Sequence, residues 1–97
     1  MKHTDLEALL EQICTALNIG VKRAKSRGAN IAIDDARTIF AFRAFKMGAT
    51  DAQIGKAINR KAKTINDLID SYLLKLRDEP MFRKKADLTE VRRKEAA

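Results

Sequence analysis

The side chains of this sequence best suited to chemistry are its cations, and they are unevenly spaced. Four stretches, 21–27 (VKRAKSR), 60–63 (RKAK), 83–85 (RKK) and 92–94 (RRK), hold thirteen of the twenty lysines and arginines and no acid. All thirteen carboxylates fall elsewhere, so the formal charge of +7 is a net-negative body carrying four basic patches. Positive charge concentrated in this way points to a polyanionic partner, with nucleic acid ahead of an anionic membrane. Lysine and arginine neutralise phosphates, and lysine or asparagine on a helix also reads base edges.

Other chemistry has little to draw on. Cys14 is the only cysteine and His3 the only histidine among 97 residues, so a disulfide framework, a zinc cluster and a histidine-based triad are excluded. Asp34 and Asp35 are chain neighbours and do not converge as a catalytic carboxylate pair. We therefore expect no enzyme, no cofactor, no metal and no small-molecule substrate. No apolar run approaches the ~18 residues of a membrane span. The N-terminus runs straight into a charged amphipathic segment rather than a signal peptide. A cytoplasmic protein without a membrane partner is expected.

The elements that must position the cations read as helices. Leu6, Leu9, Leu10, Ile13, Cys14 and Leu17 form one stripe of helical period, with Thr4 and Glu7 at capping-box spacing and Gly20 as the stop. Cys14 lies in that stripe and reads as a small core residue rather than a reactive thiol. Residues 21–29 show no periodicity and read as a basic loop. A second helix begins near Ile33–Asp35, where the acids suit a helix N-terminus. It runs through Ala36, Ile39, Phe40, Phe42, Ala44, Phe45 and Met47 to Gly48. Being apolar on nearly all sides, it reads as the central helix, with its phenylalanines in the core rather than stacked on bases.

A short third helix, with Thr50 or Asp51 as its N-cap, ends near Ile58 and is followed by a tight turn at Asn59–Arg60. The fourth runs from Ala62 to Asp78, with Ile65, Leu68, Ile69, Tyr72, Leu73 and Leu76 on one face, and Pro80 ends it. In the tail a further helix is expected from Asp87, because Asp87 and Glu90 repeat the box spacing. The expected fold is all-α: a compact four- to five-helix domain over 1–80, with a basic C-terminal extension over 81–97.

The pair of helices around Asn59 meets the residue demands of the DNA-binding helix-turn-helix. Counting from Asp51, the fourth and eighth positions are the apolar Ile54 and Ile58, and the fifth is the small Gly55. The ninth, Asn59, tolerates a left-handed backbone, and Ile65 and Leu68 supply the apolar positions of the second helix. Arg60 departs from the pattern at the tenth position, where an apolar residue is usual. The second helix would then open towards a major groove with Lys61, Ala62, Lys63, Thr64, Asn66 and Asp67. Backbone N–H groups at Thr50–Ala52 would face a phosphate. The bland alternative is that Lys61 and Lys63 are simply solvated.

The order of an amphipathic helix, the basic loop, Ala36-Arg37, then TDAQIG at 50–55 and NRKAKTI at 59–65, resembles a known domain. It is similar to the C-terminal DNA-binding domain of the bacterial replication initiator DnaA, of the Trp-repressor-like superfamily, over roughly residues 5–80. The resemblance implies that Lys22, Arg23, Lys25 and Arg27 lie at a minor groove or its flanking phosphates. It implies that Arg60, Lys61, Ala62, Lys63 and Thr64 face the major groove. The family continues from its arginine with Asp-His-Thr-Thr-Val, where this chain has Lys61-Ala62-Lys63-Thr64-Ile65. The two lysines would favour phosphates or guanines over the family's own box. There is no GxxxxGK[ST] phosphate loop, so a stand-alone domain of the phage or mobile-element kind is expected. The expected partner is double-stranded DNA, bound by a monomer, with dimerisation through the first helix left open. The alternative is an adaptor module that docks an acidic or nucleoprotein partner, which would need an exposed apolar patch or groove.

Overall fold

A computed structural model describes residues 2–90. All regular structure among them is helical: α1 (His3–Ala16), α2 (Val21–Lys25), α3 (Ile31–Lys46), α4 (Asp51–Ile58), α5 (Ala62–Asp78) and α6 (Pro80–Thr89). The expected all-α class holds, with six helices where four to five were expected.

The central helix is α3, as its composition predicts. Ile33, Ala36, Ile39, Phe40, Ala41 and Ala44 are buried along it, and the other helices pack around them. Leu6, Leu10, Ile13 and Cys14 come from α1, Ile54, Ala57 and Ile58 from α4, Ile65 and Tyr72 from α5, and Phe82 and Ala86 from α6. Two expected core members are not there. Leu73 lies off the buried stripe of α5 and is exposed, and Phe45 near the last turn of α3 projects into solvent.

Helix ends follow local chemistry, though not always the residues predicted. The N-cap of α1 is Lys2, without a side-chain cap, so the Thr4–Glu7 box does not form. Glu7 instead accepts from Lys25 Nζ at 2.8 and 2.9 Å. Gly20 does not stop α1: Asn18 takes the left-handed backbone at φ 57°, and Ile19 N–H closes back on the Cys14 carbonyl at 2.8 Å. Gly20 is left as the N-cap of α2, a single helical turn in what reads as a loop. Asn30, whose Oδ1 accepts from Ile33 N–H at 2.9 Å, starts α3 ahead of the expected Ile33–Asp35. At α4 the expected cap is present, and Thr50 and Gln53 form a reciprocal capping box.

The tail differs most from expectation. Its helix starts at Pro80, not Asp87, because the fixed φ that ends α5 also suits the first position of a new helix. Phe82, Ala86 and Thr89 turn inward and are buried. The Tyr72 ring stacks on Phe42 at 3.9 Å and meets Phe82 edge-on at 5.5 Å. Burial of a phenylalanine is worth ~1.5–3 kcal/mol, enough to hold a ten-residue helix that would be marginal alone.

Three buried or half-buried charges on α3 complete the packing. Asp35, 2% exposed, receives Lys75 Nζ at 3.2 Å and Lys85 Nζ at 2.8 Å, tying α3 to α5 and α6. Arg43 donates to the Ala86 carbonyl at 2.7 Å and to that of Thr89, closing the C-terminal end of α6. Arg37 serves the basic segment.

Candidate nucleic-acid interface

The segment after α2 has little regular structure of its own, and Arg37 supplies what holds it. This side chain is 3% exposed and donates to the carbonyls of Ala24 (2.8 Å), Arg23 (3.1 Å), Ser26 (2.8 Å) and Gly28 (2.8 Å). A further bond to Asp34 Oδ1 at 3.1 Å orients the guanidinium. Four carbonyls gathered on one arginine fix the path of residues 23–28 and turn the end of α2 into a defined surface. No lysine could do this, since its ammonium has three donors at one point and not a planar fork.

A second arginine joins that surface to the turn between α4 and α5. Arg60 donates to the carbonyls of Asn59 (3.0 Å) and Ile58 (3.4 Å) and, across a sequence separation of 34 residues, to Ser26. Burial, then the positive charge of Arg37, pulls the Arg60 guanidinium below its usual range. Asp34 opposes this, and Arg27 adds to it.

The turn itself is tight. Asn59 adopts φ 59°, and Arg60 N–H closes on the Gly55 carbonyl at 2.8 Å. A Cβ at Gly55 would stand 2.3 Å from the Arg60 carbonyl oxygen, so only glycine admits this approach. Ile65 is fully buried beneath the turn. The first turn of α5 then faces outward: Lys61, Ala62, Lys63, Thr64, Asn66 and Asp67 are all exposed. Lys61 is its N-cap without a side-chain bond, and the first turn holds no acid. Its free N–H groups and two lysines form a positive end.

The structure sorts the residues named from the sequence. Lys22 and Arg23 on α2, Arg27 beyond it, and Lys61 and Lys63 are exposed. Their side chains make no hydrogen bond or ion pair among the described residues. Lys25 is neutralised by Glu7 and Arg60 is engaged with carbonyls, so these two act within the fold. Thr50 caps α4 through its hydroxyl, and Asp51 opens that helix half-buried. The roles that the sequence does not show are those of Arg37, Asp35 and Arg43 on α3. Their one readable signal was charge inside an otherwise apolar helix. The cations of the tail are partly engaged too: Arg83 donates to the Leu76 and Arg77 carbonyls, and Lys85 pairs with Asp35. Basic residues 92–94 lie outside the described residues.

No protein-family model matches the chain, and no curated protein matches it in sequence. Among the described residues no group of three or more His, Cys, Asp or Glu could hold a metal ion. No helix among them is long and apolar enough to cross a membrane.

Proposed function

We propose that this chain binds double-stranded DNA without catalysing a reaction. In this reading α4 and α5 act as a helix-turn-helix, with Lys61–Thr64 and Asn66 towards the major groove. Lys22, Arg23 and Arg27 take the minor groove or flanking phosphates, and the α4 N-terminus at Thr50–Asp51 takes a further phosphate. The likeness of residues 5–80 to the initiator's C-terminal domain, a monomeric binding unit and a cytoplasmic location belong to the same proposal.

The observation that supports it most is the pair of arginine clasps. Arg60 donates to the Ser26 carbonyl that Arg37 also holds, so the 21–27 and 60–63 segments, far apart in the sequence, adjoin. A merely solvated set of lysines needs no such anchoring.

The test is a selection of bound sequences from random duplexes at two salt concentrations. If Lys22, Arg23, Arg27, Lys61 and Lys63 each neutralise one phosphate, log K falls against log salt with a slope of about −4.5. Arg27→Ala with Lys63→Ala should weaken binding clearly and flatten the slope by about 2. Salt-independent affinity, or wild-type binding by the double variant, refutes the proposal. An enriched motif marks a sequence-specific factor, and affinity without a motif marks an architectural one.

A further inference from the structure

Helix α6 is apolar on two faces, and only one of them is needed for folding. Phe82, Ala86 and Thr89 face the core. Met81 and Leu88 lie on the outer side with Lys84 and Lys85 between them, at i, i+3, i+4 and i+7. Met81 is 65% exposed and Leu88 67%, high values for large apolar side chains on a helix otherwise rich in charge. They do not stand alone. Together with Leu17, Ile19 and Ala32 they line a groove of about 360 Å³ between the end of α1, the first turn of α3 and α6.

The charge of this groove selects its occupant. Among the described residues, Lys84 and Lys85 are its only ionisable lining residues. Lys85 and Lys75 together share the single negative charge of Asp35, so the cluster is net positive before Lys84 is added. A second copy of this chain would bring the same lysines face to face and lose by like-charge repulsion. A bilayer is flat, whereas these apolar groups line a concavity, and the outer face of α6 offers only Met81 and Leu88 for insertion. An apolar groove bordered by lysines fits a chain segment carrying apolar anchors and carboxylates together.

We propose that this groove docks an acidic amphipathic helix of another protein. Its apolar anchors would lie against Met81, Leu88, Leu17 and Ile19, and its carboxylates would pair with Lys84 beside the net-positive Lys75–Asp35–Lys85 cluster. The groove includes no residue of 21–27 or 60–67, so docking is independent of the proposed DNA surface and compatible with it.

The experiment is selection of random 20-residue peptides on phage against the full chain, with synthetic copies of the enriched peptides measured by fluorescence anisotropy. Asp or Glu should be enriched among Leu, Phe and Met at helical spacing. Met81→Asp with Leu88→Asp should weaken binding at least about tenfold. Lys84→Glu, a change at an exposed position, should weaken it as well, and added salt should reduce the affinity. Both variants should melt like the wild type, and the Arg27→Ala, Lys63→Ala variant should bind these peptides normally. Failure to enrich, enrichment of peptides without acids, or equal binding by the Met81/Leu88 variant overturns the proposal. So does a dimer in sedimentation that this variant abolishes, or tighter binding to phosphatidylserine–phosphatidylcholine vesicles than to any peptide.

Discussion

Replacing Gly55 by alanine tests whether the α4–α5 turn is as close as its geometry indicates. The added Cβ would lie 2.3 Å from the Arg60 carbonyl oxygen and 3.3 Å from its carbon, while Ile65 Cγ1 at 3.5 Å is an ordinary contact. The oxygen must retreat by about 1 Å to reach van der Waals separation. It is main chain and cannot swing away, and the same residue's N–H is bonded to the Gly55 carbonyl at 2.8 Å. Overpacking of this kind costs ~1–3 kcal/mol, and the opposing bond, if broken, adds ~1 kcal/mol. Alanine returns ~1 kcal/mol through its better helix propensity. The net expectation is a loss of ~1–3 kcal/mol, a fall in Tm of about 5–20 °C for a domain of this size. Far-UV circular dichroism against temperature, with urea unfolding as a second measure, reads it directly. Gly48→Ala is the control. Nothing stands within 4 Å of its added Cβ, and only the positive φ of 100° opposes it. It should cost ~1–2 kcal/mol. A Gly55→Ala protein as stable as the wild type, or more stable than Gly48→Ala, would refute the close crossing.

Other perturbations probe the clasp, the docked helix and the buried groups. Arg37→Lys retains the charge but not the fork. It should destabilise by ~2–4 kcal/mol in urea melts and weaken DNA binding while leaving the salt slope near its original value, because the exposed cations remain. Phe82→Ala should cost ~3–5 kcal/mol and expose residues 80–89 to proteolysis before the rest of the domain unfolds. Burial pushes the Cys14 thiol up from its ordinary range, so the native chain should be inert to a thiol-specific disulfide reagent and react fully once denatured. Tyr72 is also pushed up, by burial first and against Arg43. A raised folded value means that its contribution is complete below the unfolded pKa near 10 and is lost as pH rises beyond it. Absorbance of the phenolate should therefore appear together with loss of helix, and an earlier phenolate signal in the intact fold would refute the burial.

The α4–α5 unit was legible because several local signals agree there. An N-cap at Thr50, a small Gly55, an asparagine fit for positive φ and an apolar stripe from Ile65 all act within a few residues of one another. Where structure depends on distant partners the sequence is silent. Five residues are too few to show helical period, so α2 is indistinguishable from a loop in the sequence, and its one buried residue, Ala24, is defined by packing from other helices. Pro80 was informative in one direction only, since a residue that ends one helix is also well formed to begin the next. Glu7 looked like a capping residue for its own helix, yet its partner is Lys25, 18 positions on. The carboxylate of Asp35 looked suited to a helix N-terminus, whereas its ligands are 40 and 50 residues away. Charge position along the chain was therefore readable, and charge availability was not.

That distinction changes what the basic clusters mean. Ten of their cations lie within the described residues, and four of these serve the fold: Lys25 on Glu7, Arg60 on main-chain carbonyls, Arg83 at the end of α5, and Lys85 on Asp35. The six remaining are Lys22, Arg23, Arg27, Lys61, Lys63 and Lys84, of which the first five lie in the two segments that the Arg60–Ser26 bond joins and the last borders the α6 groove. If every cation of 21–27 and 60–63 contacted phosphate, the salt slope would be about −6; with only the five exposed ones it is about −4.5. Arg60 discriminates further. Its guanidinium joins the two basic segments, so Arg60→Ala should lower affinity at every duplex sequence through loss of loop order, without erasing preference at any one base pair. An arginine that reads a guanine would do the reverse, relaxing one position of the site and leaving the rest intact.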